Sequence, residues 1–247
     1  MMQRQQGATL IVVLVMLVLL TLIGTWAIRQ SLINLKVTTS SQAQQLLMQS
    51  SDSVFYRLAQ GGHAAASSNP LSLVGYALQN QGHEVVFCFR HQDNAARFSA
   101  ANSSILRWNE QASDVQVDGV AGFCSLDQAA DYASTRKAQL TQVSVIVHPP
   151  GTLDSGLPLS QLSLGSDVDS IGQPLEAKTV YVYVTSILPA LTISDASQEI
   201  QRCLKRPQSP PLKGTAQTLS ACLQQHGVPY NSQVQSYLLD VYQRASG

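Results

Sequence analysis

Gly7-Ala8-Thr9-Leu10-Ile11-Val12-Val13-Leu14 opens an apolar run whose reading decides the fold. From Ala8 to Ile28 no side chain is charged, and only Thr9, Thr21, Gly24 and Thr25 interrupt the run. A helix needs about 20 mostly apolar residues to cross the hydrocarbon core of a bilayer, and this run is long enough. Ahead of it lie Met1 to Gly7, with one charged side chain, Arg4; beyond it the first charges are Arg29 and Lys36.

The helix is expected to continue past the apolar run. No Pro or Gly occurs from Thr25 to Gln60, and Leu32, Leu35, Thr39, Ala43, Leu46, Leu47, Val54 and Leu58 recur at steps of three and four. That spacing is the stripe of an amphipathic helix. Gly61-Gly62 is a natural stop. Such a helix of about 50 residues is roughly 75 Å long at 1.5 Å per residue. Ser40, Ser41 and Ser50 break the stripe too often for a good coiled coil.

Three readings of the apolar run compete. A cleaved signal peptide has a shorter apolar region followed by a small-residue cleavage site, and Thr25-Trp26-Ala27 matches that poorly. A plain signal anchor fits the length and leaves Gly7 unexplained. The third reading rests on Arg4-Gln5-Gln6-Gly7-Ala8-Thr9-Leu10-Ile11-Val12. This segment resembles the junction of type IV prepilins, in particular the PilX-type minor pilins, which carry a basic Gln- or Arg-rich leader, a Gly, a small residue and an aliphatic run. The resemblance extends over about Gln3 to Leu58 and is much weaker beyond.

The resemblance implies that a prepilin peptidase cuts after Gly7 and that Ala8 becomes the N-terminus, with a methylated amine. It implies a chain in four parts: leader 1–7, transmembrane and assembly helix 8–28, amphipathic continuation 29–60, and a periplasmic α+β domain 61–247. Leu10, Val12, Leu14, Leu17 and Leu20 then belong to the helix that leaves lipid for the fibre core. The implied location is the bacterial inner membrane, as a single-pass protein, and then the pilus fibre. The implied partners are the peptidase, the inner-membrane assembly platform, other minor pilins, the major pilin and a tip adhesin. The implied function is priming pilus assembly in support of twitching motility, adhesion and DNA uptake. A minor pseudopilin of a type II secretion system shares nearly all these features. A signal-anchored periplasmic binding or sensor module is the reading without assembly, and it makes Gly7 irrelevant.

The chain departs from the family at Val12, where most pilins carry Glu. In the family that carboxylate is thought to meet the terminal amine of the neighbouring subunit during assembly. A carboxylate at the centre of a membrane helix costs about 2.5–3.5 kcal/mol on insertion scales, so it persists only where something pairs with it. Val12 is therefore expected to mark a subunit at the tip, with no earlier neighbour to dock on. The alternative is docking through the apolar seam alone.

Bulk composition narrows the remaining classes. Lys plus Arg and Asp plus Glu both number 15 in the 247 residues, for a formal net charge of zero, and charged residues make up only 12%. That is about half the usual share. No basic surplus argues for nucleic acid. The four cysteines, Cys88, Cys124, Cys203 and Cys222, include no C-x-x-C pair, which argues against a redox dithiol or a zinc ribbon. In an exported chain they read as two disulfides. Three pairings exist; Cys88 with Cys124 and Cys203 with Cys222 close the loops short enough to form early.

Downstream, Glu84 to Arg90, Thr141 to His148 and Lys178 to Ile187 are β-branched and aromatic enough to predict strands. Val115, Val117 and Phe123 suggest a short strand or bend. Asp127 to Gln139 reads as a helical stretch or an ordered loop, and a helix is expected from Ser194-Asp195 to about Lys205, with another over Thr215 to Gln225. Val234 to Tyr242 fits a strand and a helix equally. The expected fold is α+β, a long N-terminal helix on an antiparallel sheet of about four strands.

No G-x-S-x-G, Walker A or G-x-G-x-x-G pattern occurs, so no catalytic residues are assigned. His83-Glu84 opens like a zinc-protease motif, but Phe87 stands where the second His belongs. Asp167-Val168-Asp169, between Gly165 and Gly172, is the one metal candidate, since alternating carboxylates in a Gly-bracketed loop suit Ca²⁺. It lacks the remaining ligands of an EF-hand, and a solvated turn is the expected reading, with Ca²⁺ the weaker alternative.

Overall fold

In the computed structural model, residues 8–60, 72–90, 102–109, 114–149, 176–192, 197–210 and 216–241 are described. Helix α1 runs over Ala8–Gln60, 53 residues without a break, which is about 80 Å. The chain divides into two compact units, Met1–Gln45 and Leu46–Gly247. The last turns of α1, from Leu46 on, therefore belong to the globular unit.

In the globular unit, the remaining elements in chain order are α2 (Leu73–Gln79), β1 (Glu84–Cys88), β2 (Ser104–Trp108), β3 (Val115–Asp118), β4 (Leu140–Val147), β5 (Glu176–Ile187), α3 (Ser197–Leu204), α4 (Leu219–Gln225) and β6 (Tyr230–Val241). The architecture is α+β. The six strands form one sheet in the order β3-β2-β1-β4-β5-β6, and every neighbouring pair is antiparallel. The expectation of about four strands is corrected here to six. β2 has only five residues of mixed polarity and exists through its pairing with β1 and β3. β6 settles as a strand because it pairs with β5 along 12 residues. The stretch from Asp127 to Gln139 holds only a short 3₁₀ turn at Ala129–Asp131, and the connection between β4 and β5 lies outside the described residues.

Side-chain alternation gives the sheet two buried faces. Val85, Phe87, Phe89, Val143, Val145, Val147, Val180, Val182 and Val184 face one way and pack with Val54 and Phe55 of α1 and Leu73 and Ala77 of α2. On the other face, Leu140 and Ile187 pack with Ile200, Leu204, Leu219 and Leu223 of α3 and α4. All eight residues of β4 are buried, as its position between two layers requires. The helices start where side-chain acceptors meet free N–H groups: Ser72 Oγ accepts from Gly75 and Thr218 Oγ1 from Ala221.

Two disulfides tie the second face together, Cys88–Cys124 and Cys203–Cys222. The first joins the end of β1 to the loop after β3, and the second joins α3 to α4. They span 36 and 19 residues, which in a chain-entropy account stabilises the fold by about 3–4 kcal/mol each.

Candidate functional site

The N-terminal unit holds the feature that demands a partner. Fifteen large apolar side chains from Leu10 to Ile28 each keep between 48% and 69% of their surface exposed. Burying a side chain of this size is worth about 1.5–3 kcal/mol, so the stretch carries a large cost in water. Patches beyond a few hundred Å² mark interaction or membrane surfaces. This is the one described helix long and apolar enough to cross a membrane. Its few hydroxyls are satisfied within the helix: Thr21 Oγ1 donates to the Val18 carbonyl at 2.8 Å and Thr25 Oγ1 to Leu22 at 2.9 Å. In an apolar surrounding such internal bonds remove the penalty of a bare hydroxyl.

Leu10, Val12, Leu14, Leu17 and Leu20 all lie on this helix, with 69%, 63%, 57%, 58% and 62% exposure. Leu10, Leu14, Leu17 and Leu20, spaced four, three and three apart, share one side of it and Val12 lies on another, while the other large apolar residues of the run cover the rest of the circumference. Ala8 is its first residue, while Gly7 lies outside the described residues. At the other end of α1 the contacts change character. Val54 and Phe55 are buried in the core, and Ser50 and Ser51 bond to hydroxyls of the sheet.

Asp167 and Asp169, the Ca²⁺ candidates, lie outside the described residues. Cys203, Cys222 and His226 bring a ligand-like group within 4.8 Å of one another, with both sulfurs held in the disulfide. Burial, helped by the nearby Arg107 guanidinium, holds His83 below its ordinary pKa.

Two polar arrangements had no local signal in the sequence. Glu84 is 2% exposed. Its carboxylate accepts from the backbone N–H of Gln208 at 2.7 Å, from the N–H of Ser209 at 3.1 Å and from the Ser209 hydroxyl. Burial pushes its carboxyl above the ordinary range, against the pull of these Ser209 and Gln208 bonds. It clamps the segment after α3 onto β1. Beyond the other end of β1, Asp131 is buried and binds Arg90 Nε at 2.6 Å and the Ser125 N–H at 2.7 Å. Arg90, Asn102, Phe123, Asp127, Gln201 and Lys205 border an open depression of about 550 Å³ beside it.

Compared with family models, with curated proteins and with solved structures, the chain matches none.

Proposed function

We propose that this chain is a minor pilin that primes or caps type IV pilus assembly, at or near the fibre tip. The observation that carries the reading is α1 itself, a single helix with one end in a globular core and an apolar end whose fifteen large side chains await lipid or protein. Lipid covers such a helix before assembly, and sister helices cover it afterwards. The resemblance at Arg4 to Val12 supplies the second support, because a hydropathy run alone does not place a Gly ahead of it.

On this reading the globular unit is periplasmic and held at the bacterial inner membrane. The prepilin peptidase removes Met1 to Gly7, and the assembly platform lifts the subunit into a fibre with other minor pilins, the major pilin and a tip adhesin. Two disulfides suit an oxidising compartment. The role is structural, and no chemistry is assigned to the depression beside Arg90.

The test is the N-terminal residue of the protein isolated from membranes, together with a Gly7→Arg variant. The proposal expects Ala8 first in the natural protein, and uncut precursor with few or no surface pili in the variant. An intact Met1, a start beyond Trp26, or normal pili containing the Gly7→Arg chain overturns it.

A further inference from the structure

Two pairs of side chains, each spaced four residues apart, converge where α3 meets α4. Glu199 and Cys203 share one face of α3, and Cys222 and His226 share one face of α4 and its C-terminal cap. One ligand-type atom from each of Cys203, Cys222 and His226 lies within 4.8 Å of the other two. Glu199 adjoins the ring, with Oε2 3.8 Å from His226 Nε2, while its Oε1 accepts from Arg202 at 2.7 Å. The disulfide accounts for the two sulfurs being together. It does not account for the imidazole beside them or for the carboxylate at the imidazole.

His226 sits on a closed helix end rather than a loose loop. Gly227 turns the chain at a φ of 63°, the His226 N–H donates to the Cys222 carbonyl at 3.2 Å, and the Val228 N–H donates to the Leu223 carbonyl at 3.0 Å. Cys203 and Cys222 are 0% and 4% exposed and pack with Ile200, Leu204, Leu219 and Leu223. The His226 side chain keeps 29% of its surface exposed and is the member of the three that solvent reaches. A tetrahedral Zn²⁺ with bonds of about 2.0–2.3 Å to nitrogen and sulfur sets its ligand atoms roughly 3.5–3.8 Å apart. Once the S–S bond is open, rotation about the Cα–Cβ bonds supplies that spacing.

We propose that, with the Cys203–Cys222 bridge reduced, Cys203, Cys222 and His226 bind one Zn²⁺ with water in the fourth position. Glu199 is a positioning residue, which accepts the ring's Nε2–H so that Nδ1 meets the metal. A metal-bound histidine commonly donates its second ring N–H to a carboxylate in this way. The α3–α4 junction then has two interchangeable cross-links, a disulfide and a metal ion. A protein dithiol supplies two electrons and two protons to the bridge; the S–S bond breaks, two thiols form, and the dithiol closes to its own disulfide. Zn²⁺ then displaces the two thiol protons to solvent and forms two Zn–S bonds. Thiolate and imidazole donors select Zn²⁺ over Ca²⁺ or Mg²⁺. The inference does not rest on the pilus reading, since the four side chains lie wholly within the globular unit.

The test uses the full chain in detergent micelles, reduced under argon by a trialkylphosphine, which takes up the oxygen of one water and leaves no chelating thiol behind. Co²⁺ is the probe. In a tetrahedral thiolate site it shows a sulfur-to-cobalt charge-transfer band and intense visible bands, and Zn²⁺ abolishes both on displacing it. The reduced chain is expected to show these bands at one Co²⁺ per chain, and the oxidised chain none. Cys203→Ser with Cys222→Ser, which keeps Cys88 and Cys124, is expected to lose them. His226→Ala is expected to bind Zn²⁺ at least about tenfold more weakly, and Glu199→Gln about ten- to hundredfold more weakly. Zn²⁺ is also expected to return the α3 and α4 amides of the reduced chain to the slow exchange of the oxidised chain, whether reduction loosens those helices alone or more of the fold. Absent bands, bands that survive in the double Ser variant, unchanged Zn²⁺ affinity in His226→Ala, or exchange that Zn²⁺ does not slow overturns the proposal. Unchanged affinity in Glu199→Gln removes Glu199 from the site.

Discussion

Ser50 and Thr141 stand 91 residues apart in the chain, and their hydroxyl oxygens lie 2.7 Å apart in the buried layer between α1 and β4. Thr141 also meets Ser186 Oγ at 3.0 Å, and Ser186 meets Ser51 Oγ at 3.0 Å. Ser51 closes the chain of bonds on the Leu47 carbonyl at 3.2 Å. Four hydroxyls thus join the helix to two adjacent strands at one height, which fixes how far α1 slides along the sheet. An apolar contact alone does not fix that height, because it is non-directional.

Removing the middle of this chain is therefore expected to cost more than removing all of it. Thr141→Val takes from Ser50 its partner on the sheet and leaves Ser186 with Ser51 alone, and a buried unsatisfied hydroxyl costs about 1–3 kcal/mol. The combined Ser50→Ala, Thr141→Val and Ser186→Ala variant is expected to lose less than the sum of the single changes. Denaturant unfolding of the full chain in micelles measures both; strict additivity removes the network from the account.

Gly122 is expected to tolerate no side chain. A Cβ there would overlap the Ser104 amide nitrogen and the Val86 carbonyl oxygen, both backbone atoms of the sheet. Its own N–H donates to Ser104 Oγ at 3.0 Å. Gly122→Ala is expected to destabilise by more than about 2 kcal/mol. Gly24→Ala in α1 meets nothing within 4 Å and is expected to be neutral or stabilising by up to about 1 kcal/mol through helix propensity. Melting temperatures of the two variants, read side by side, check the contrast.

Glu84 sets a pH dependence of unusual sign. Burial raises its carboxyl above the ordinary value, so the folded state holds the proton more tightly than the unfolded chain. Its contribution is then largest below the unfolded pKa and is lost as pH rises from there through the folded pKa. Glu84→Gln is expected to flatten that part of the stability curve. Where Glu84 is ionised the same change also removes an acceptor, because the amide cannot accept the Ser209 N–H in place of the second carboxylate oxygen. Unfolding free energies from mildly acidic to neutral pH test it, and an unchanged slope rejects the assignment.

The Cys203–Cys222 bridge is expected to matter locally. It ties α3 to α4, two helices of eight and seven residues, too short to persist alone. Replacing both cysteines by Ser is expected to cost about 3 kcal/mol and to speed exchange of the α3 and α4 amides before those of β4. Simultaneous loosening of β4 contradicts this.

On the proposed pilus reading, Val12→Glu probes the position in the fibre. An unpaired carboxylate in the apolar run costs about 2.5–3.5 kcal/mol, so a tip subunit bearing it is expected to insert and prime less well, with fewer surface pili. An unchanged pilus number with the subunit in an unchanged position sinks the tip argument.

Sequence alone determined the parts whose cause is local. The length of α1 follows from an apolar run and a stripe free of Pro and Gly, and β4 and β5 follow from dense β-branched residues that suit burial on both faces. Tertiary structure alone decided the rest. β2 is a strand because β1 and β3 flank it. In β6, Val234, Tyr237, Leu238 and Val241 suit a helical stripe as well as a strand, and twelve pairs with β5 outweighed the local ambiguity. Ser50 read as a break in the apolar stripe, yet it is a link to Thr141. Glu84 read as the polar start of a strand, yet its partners Gln208 and Ser209 lie 124 and 125 residues away. A buried polar group is defined by the acceptor or donor that folding brings to it, and that partner leaves no mark within a window of neighbouring residues.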